Sequence, residues 1–434
     1  MKKIYIKMIK KTFLLIFCFF FYSIGFSQDK VLILNGFLHI GNGDTIPSAL
    51  ISIENGIITK VGNSLTTSYK LNEWDTIINA KNKHIYPGFV APNTTLGLTE
   101  IDAVRATRDY REVGSLNPHI RSQIAYNVES KVMSTVLTNG VLICQATPRG
   151  GRVSGSSSVM KLNGWNWQDA TIHKDDGIHV NWPVVNWKRN DPEKNGLTKE
   201  YENEVKQLGD FFCLAKKYAE KKEKTDSIDI RLEAMKKCFS QNRRIYFHAN
   251  EIQQILDVIS FVEKYKIKYP VIIGGYDAPI AGKRLKDANI PVMIKRVHSL
   301  PDMADDPIDY VFKLPSLLKE NGILFCLENS GDMEAMNARN IPFLAGTASS
   351  YGLSNEEAIE AISLSACKIL GIDNKYGSIE KGKSATFFIS DGNALDMMTN
   401  NVTNIFIDGK IVSTENFQST LYQKYQNKYK NSQK

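Results

Sequence analysis

Cysteine is sparse, with six residues in 434 and no Cys-x-x-Cys pair among them. Cys18 lies inside an apolar run between Phe17 and Phe19, bulky neighbours that do not suit a lipid-attachment site. The other five, Cys144, Cys213, Cys238, Cys326 and Cys367, are odd in number and widely spaced, which excludes a disulfide framework as the organising device. Cys144 and Cys326 fall in apolar runs and are expected to be buried thiols. No Gly-x-Gly-x-x-Gly follows a strand-like run, which argues against a dinucleotide-binding fold. No Gly-x-Ser-x-Gly elbow is present, which removes the usual serine-hydrolase reading. Low-complexity tracts and fixed-period repeats are also missing, so no repeat architecture is expected.

The body of the chain carries little net charge. The formal value is +8, but Lys2, Lys3, Lys7, Lys10 and Lys11 account for five of it and leave +3. Four further lysines, Lys424, Lys428, Lys430 and Lys434, sit in the tail, read as a solvated end. A near-neutral body argues against a nucleic-acid partner. The basic head, the apolar run from Phe13 to Phe21 and the small residues near Ser27 together have the form of a secretory signal peptide over 1–27. The apolar run is too short for a comfortable membrane span. Export to a periplasmic or extracellular space is the expectation, with no transmembrane segment after cleavage.

What is present is two terminal β-segments around a long alternating middle. Asn55-Gly56 joins strand-like Ile51–Ile53 to Ile57–Val61, and Asp408-Gly409 joins Asn404–Ile407 to Lys410–Val412, both as two-residue hairpins. Neither end has enough strands for a core of its own. The economical solution is one composite β-sandwich domain from 28–86 and 380–434, with a large domain inserted over 87–379. In that middle, the apolar runs at Val141, Ile245, Val271, Val292, Ile323 and Phe343 alternate with helix-period segments. This pattern predicts α/β architecture, with a closed (β/α)8 TIM-type barrel preferred over a doubly wound sheet. Lys199 to Ser240 reads as two helices with solvated faces.

Tyr86-Pro87-Gly88-Phe89-Val90-Ala91-Pro92-Asn93-Thr94-Thr95 is a short apolar strand ending in small polar residues. It resembles the first barrel strand of the amidohydrolase superfamily. Phe247-His248-Ala249-Asn250-Glu251-Ile252 resembles a later strand of its imidazolonepropionase-like members. Gly377-Ser378-Ile379-Glu380-Lys381-Gly382-Lys383-Ser384-Ala385 resembles their return to the β-domain. The resemblance implies a C–N bond hydrolase in which zinc or another divalent ion activates water. Laid on that pattern, Ala91 takes an Asp position, and Asn93 and Thr95 take two His positions. Gly274 takes a third His position and Ala348 the place of the last-strand Asp. Only His248 matches a ligand, so neither a bound metal nor another cofactor is expected.

The resemblance therefore points to a non-catalytic ligand-binding or partner subunit, with an active hydrolase of small amides or short peptides on a rebuilt site as the alternative. A small-molecule or peptide ligand, an active relative and a second copy of the chain are the partners considered. His248, Asp109 and Glu328 are candidate catalytic residues for a rebuilt site. Asn93, Thr95, Arg105, Arg108 and Arg149 are candidate substrate-binding residues. The charged stretch from Glu100 to Arg111 could equally be an ion-pair network, and Arg149 to Ser158 a flexible glycine- and serine-rich loop. Trp165, Trp167 and Trp182 flank His173, Asp175, Asp176 and His179, a grouping that suits a cleft lining or buried packing. His298, Asn329 and Asp332 follow apparent strands and are further candidates for a metal-free site.

Overall fold

The structure is a computed structural model that describes residues 30–185, 198–221, 227–240 and 243–432. The expected signal peptide lies outside the described residues. Among them, no helix is long and apolar enough to cross a membrane.

The chain begins with β1 (Lys30–His39), β2 (Thr45–Glu54), β3 (Ile57–Asn63), β4 (Thr76–Asn79) and β5 (His84–Pro87). Asn55 at φ 53° and Gly56 at φ 77° turn β2 into β3, the positive-φ pair that a two-residue hairpin needs. The barrel follows as β6 (Phe89–Thr94), β7 (Val141–Ala146), β8 (Val153–Lys161), β9 (Thr171–Asn181), β10 (Arg244–Ala249), β11 (Pro270–Gly274), β12 (Val292–Ile294) and β13 (Phe325–Leu327). Then β14 (Phe387–Ser390), β15 (Val402–Ile407) and β16 (Lys410–Val412) rejoin the first sheet. There β14 pairs with β5, Phe387 opposite Pro87 and Ser390 opposite His84. A bridge from Ile57 to Ser384 brings the far side of this sheet back to the segment leading into β14. One buried cluster draws Ile33, Ile51 and Ile85 from the first end and Phe387, Ile389 and Phe406 from the second.

The eight barrel strands are neighbours in chain order, a nearly closed α/β barrel. One feature departs from an all-parallel expectation. β8 runs antiparallel to both β7 and β9. Only 147–152 separate β7 from β8, too few residues for a crossover, so the chain must turn back on itself. The stretch read as a flexible loop is consequently strand from Val153, and Ser156, Ser157 and Ser158 are buried.

A second correction concerns Phe343 to Ala345. It reads as a strand, but Ile341–Ser350 is a helix. Ile341, Leu344, Ala345 and Ala348 are its buried face, at helical spacing. Pro342 is accommodated in its first turn. The last barrel strand is β13, and Ala348 is not at a strand end. The edge of β6 is closed differently, by the Val90 N–H donating to Ile362 O at 2.8 Å.

The two domains share aromatic packing. Tyr86 and Phe89 lie 5.4 and 5.0 Å, centroid to centroid, from Phe388. Gly140 is left-handed at φ 84°, and a Cβ there would sit 2.4 Å from the Phe388 ring, so this joint admits only glycine.

Candidate functional site

The C-terminal ends of the barrel strands surround a cavity of about 440 Å³. Asn93 comes from β6, Arg149 from the turn after β7, Asn181 from β9 and His248 from β10. Lys295 follows β12, and Ser330 follows β13. Closing the sheet into a barrel brings the ends of neighbouring strands to one rim, which is why barrel mouths collect functional groups.

Arg149 organises this mouth. Its Nη1 donates to Asn93 Oδ1 at 2.9 Å and its Nη2 to Asn93 O at 2.8 Å. The other edge grips Glu334 through Nε–Oε1 at 3.1 Å and Nη2–Oε2 at 3.0 Å. Such a two-oxygen grip holds the planar guanidinium in one orientation. Asn93 is shaped for it. The β6–β7 register slips between Ala91 and Thr94, and Asn93 takes φ 48°, a conformation that Asn tolerates. Its N–H donates to Gln145 Oε1 at 3.0 Å.

Beneath the mouth runs a buried polar chain. Gln145 Nε2 donates to Asp176 Oδ2 at 2.8 Å, Ser157 Oγ to Asp176 Oδ1 at 2.8 Å, and Tyr246 Oη to Asp176 Oδ2 at 2.6 Å. Three donors onto one buried carboxylate satisfy it inside the barrel. Tyr246 stacks on His179 at 4.6 Å, and His179 Nδ1 lies 3.0 Å from His248 Nε2. A hydrogen bond between two imidazoles needs one ring to donate and the other to accept, which neutral rings can do. Burial holds both neutral. His248 is pushed down to about 3 by desolvation, then by the charges of Arg149 and Lys295. His179 is held well below its ordinary value by burial, then by His248 and Arg149.

Glu328 stands just past β13 and is fully buried. Its Oε1 accepts from Ser330 Oγ at 2.7 Å, and its Oε2 accepts from the Ser330 N–H. Desolvation raises its carboxyl to about 7, against the opposing pull of the Ser330 hydrogen bonds and Arg149. A carboxyl poised near neutrality therefore lies behind the Ser330 hydroxyl at the wall of the mouth.

Of the residues expected at the site, Asn93, Thr95, Arg108, Arg149 and His248 line the cavity, and Glu328 lies behind Ser330 at its wall. Arg105 does not join them. It is exposed on the short helical turn Arg105–Thr107. Asp109 is exposed and is tied to the body by its N–H to Leu98 O. Glu100 caps Asn127 and Ser130 at 3.0 Å each, the structural role. His298 faces a different cavity and meets Thr347 Oγ1 at 2.6 Å. The tryptophans do not share a cleft, since Trp182 is buried near His248 while Trp165 is 91% exposed. His173, Asp175, Asp176 and His179 are spread along β9. Asp332 does line the mouth, and Asn329 is buried against Arg296. Lys295 was not singled out from the sequence, although a charged residue directly after the apolar run Val292–Ile294 is a signal that could have found it. Glu334 carried no such signal, because only its pairing with Arg149 distinguishes it.

A nearly closed barrel and a sheet built from both chain ends are the fold of solved amidohydrolases. Residues 280–412 match the sequence model of the Amidohydrolase family. An amidohydrolase from Thermotoga maritima superposes with a TM-score of 0.77 at 23% identity, over 88% of this chain and 99% of that one. An ochratoxinase from A. niger gives 0.54 at 14% identity over 88% and 95%. A molinate hydrolase gives 0.51 at 15% over 90% and 96%. No curated protein matches the chain at a significant level. At these identities the structural likeness speaks for the fold.

The donor set does not fit the metal that this fold implies. Asn93 and Thr95 offer an amide and a hydroxyl, weak ligands for zinc. The Asn93 carbonyl oxygens are already taken by Arg149. Gly274 is at φ 106°, and a Cβ there would lie 2.1 Å from Asn250 Oδ1, so the Asn250 side chain occupies the place of a ligand side chain. Among the described residues, no three His, Cys, Asp or Glu side chains come together as a metal-binding group.

Proposed function

We propose that the chain is an exported, non-catalytic amidohydrolase-fold protein whose barrel mouth binds a small polar molecule. The observation that supports this most is the Arg149 clamp on Asn93 and Glu334. A fixed guanidinium, with the Lys295 ammonium in the same cavity, opposes the entry of a second cation where the fold would hold one. The same groups favour polar and anionic parts of a ligand. The test is elemental mass spectrometry on the mature, tag-free protein beside His248→Ala, together with turnover on a panel of amides and dipeptides. Little metal in both samples and no turnover are expected. About one zinc per chain, lost in the variant, would restore metal-assisted hydrolysis as the leading function.

One observation favours a second reading, hydrolysis of small amides or short peptides without metal. Glu328, raised to about 7 beside Ser330, has the proton affinity that a general base needs near neutral pH. Under this reading Glu328→Gln abolishes a measured turnover that His298→Ala leaves intact. Turnover unchanged in Glu328→Gln would remove it.

A further inference from the structure

The mouth cavity does not end at β12. A second cavity of about 300 Å³ adjoins it over β11 and β12, and the two share Lys295, Ser330, Gly331 and Asp332. The first chamber is mostly polar, with Pro148 and Tyr110 among its lining. The second has an apolar and aromatic side made by Tyr276, Val311 and Leu314. Lys295 and Asp332 are thus the two charged residues bordering both chambers. Neither forms an ion pair with the other or with any other described side chain, although both are exposed. Their backbones are held in place. The Lys295 N–H donates to Gly274 O at 3.3 Å, and Arg296 Nη2 donates to Asp332 O at 2.9 Å while its Nε grips Asn329.

An unpaired ammonium and an unpaired carboxylate on a shared wall, next to a chamber with one apolar side and with Arg296 and Asp302 also at its edge, match one ligand chemistry. We propose that the mouth receives an amino-acid zwitterion, with its carboxylate at Lys295, its ammonium at Asp332 and an apolar side chain in the chamber of Tyr276, Val311 and Leu314. Free amino acids and short peptides share that chemistry. Charges so placed select by opposing ligands that lack a partner for one of them, because the site then keeps an unmatched group. This inference rests on the mouth-binding reading above and adds the ligand class to it.

The experiment is titration calorimetry on the full mature chain with L-leucine, L-leucinamide, N-acetyl-L-leucine and N-acetyl-L-leucinamide. Leucine should bind best, and removing either ligand charge should weaken binding about tenfold or more. In Lys295→Gln, leucine and leucinamide should bind alike. In Asp332→Asn, leucine and N-acetyl-leucine should bind alike. Both side chains are exposed, so circular dichroism should show both variants folded. If N-acetyl-leucinamide binds as tightly as leucine, or both variants keep the wild-type preference, the zwitterion assignment is overturned while binding at the mouth stands. If no compound in the panel binds and a wider panel of small polar molecules also gives no heat, both readings fall.

Discussion

Arg149 carries more of the mouth than any other single side chain, and removing it tests how the mouth is held. Arg149→Ala strands the Glu334 carboxylate and two Asn93 oxygens, an expected loss of about 3 kcal/mol in urea denaturation. Arg149→Lys should fall between, since an ammonium keeps the charge but cannot span both partners. Glu328 and His248 pull stability in opposite directions with pH. Glu328 binds a proton more tightly in the native state, so stability falls as pH rises from about 4.5 to about 7, by about 3 kcal/mol. His248 binds one less tightly, so the stability tied to its neutral ring is present above its ordinary value of 6.5 and is lost as pH falls toward about 3. Glu328→Gln should therefore flatten the neutral side of the stability profile, and His248→Gln the acid side, in chemical denaturation from pH 4 to 8. A Glu328→Gln profile with the wild-type slope between pH 4.5 and 7 would show that the carboxyl is not raised.

At the level of elements, the β15–β16 hairpin locks the composite sheet to the barrel. Asp408, at φ 49°, accepts from Tyr376 Oη at 3.0 Å and Ser384 Oγ at 2.7 Å, and pairs with Lys161 on β8 at 2.9 Å. Asp408→Asn keeps the tolerated backbone conformation and loses the charge. A destabilisation of about 1–2 kcal/mol is expected by denaturant titration. Asp408→Ala should lose roughly 1 kcal/mol more, because alanine resists the left-handed region. The elements also show where sequence patterns mislead. Both hairpins were legible because turn chemistry and the flanking apolar runs agree there. Ile341–Ser350 was not, because three consecutive apolar residues between small ones look alike in a buried strand and a buried helix.

For the whole molecule, a sheet drawn from both chain ends makes its folding depend on the last strands. Ending the chain after Ser384 would remove Phe387, Ile389 and Phe406 from the composite core and leave β5 without β14. Such a chain should lose its cooperative thermal transition. Ending it before Phe417 removes only the helix Phe417–Ser432, whose Tyr422, Tyr425 and Tyr429 are exposed, and should move Tm by less than about 2 °C. If the first truncation unfolds like the full chain, the ends are not one domain. By itself the sequence determined the α/β class, the composite β-domain and the substitution of amide, hydroxyl and glycine at most of the positions where ligands are expected. Those follow from turn residues, alternating apolar runs and local motifs, which act over a few neighbours. Tertiary structure alone decided that β8 turns back, that Glu334 completes the Arg149 clamp, that His179 meets His248, and that Lys295 and Asp332 border two chambers. These pairs are separated by 37 (332 − 295) to 185 residues along the chain, with Arg149 and Glu334 at the far end of that range. Only the closing of the barrel brings them within reach, and no local pattern encodes that distance.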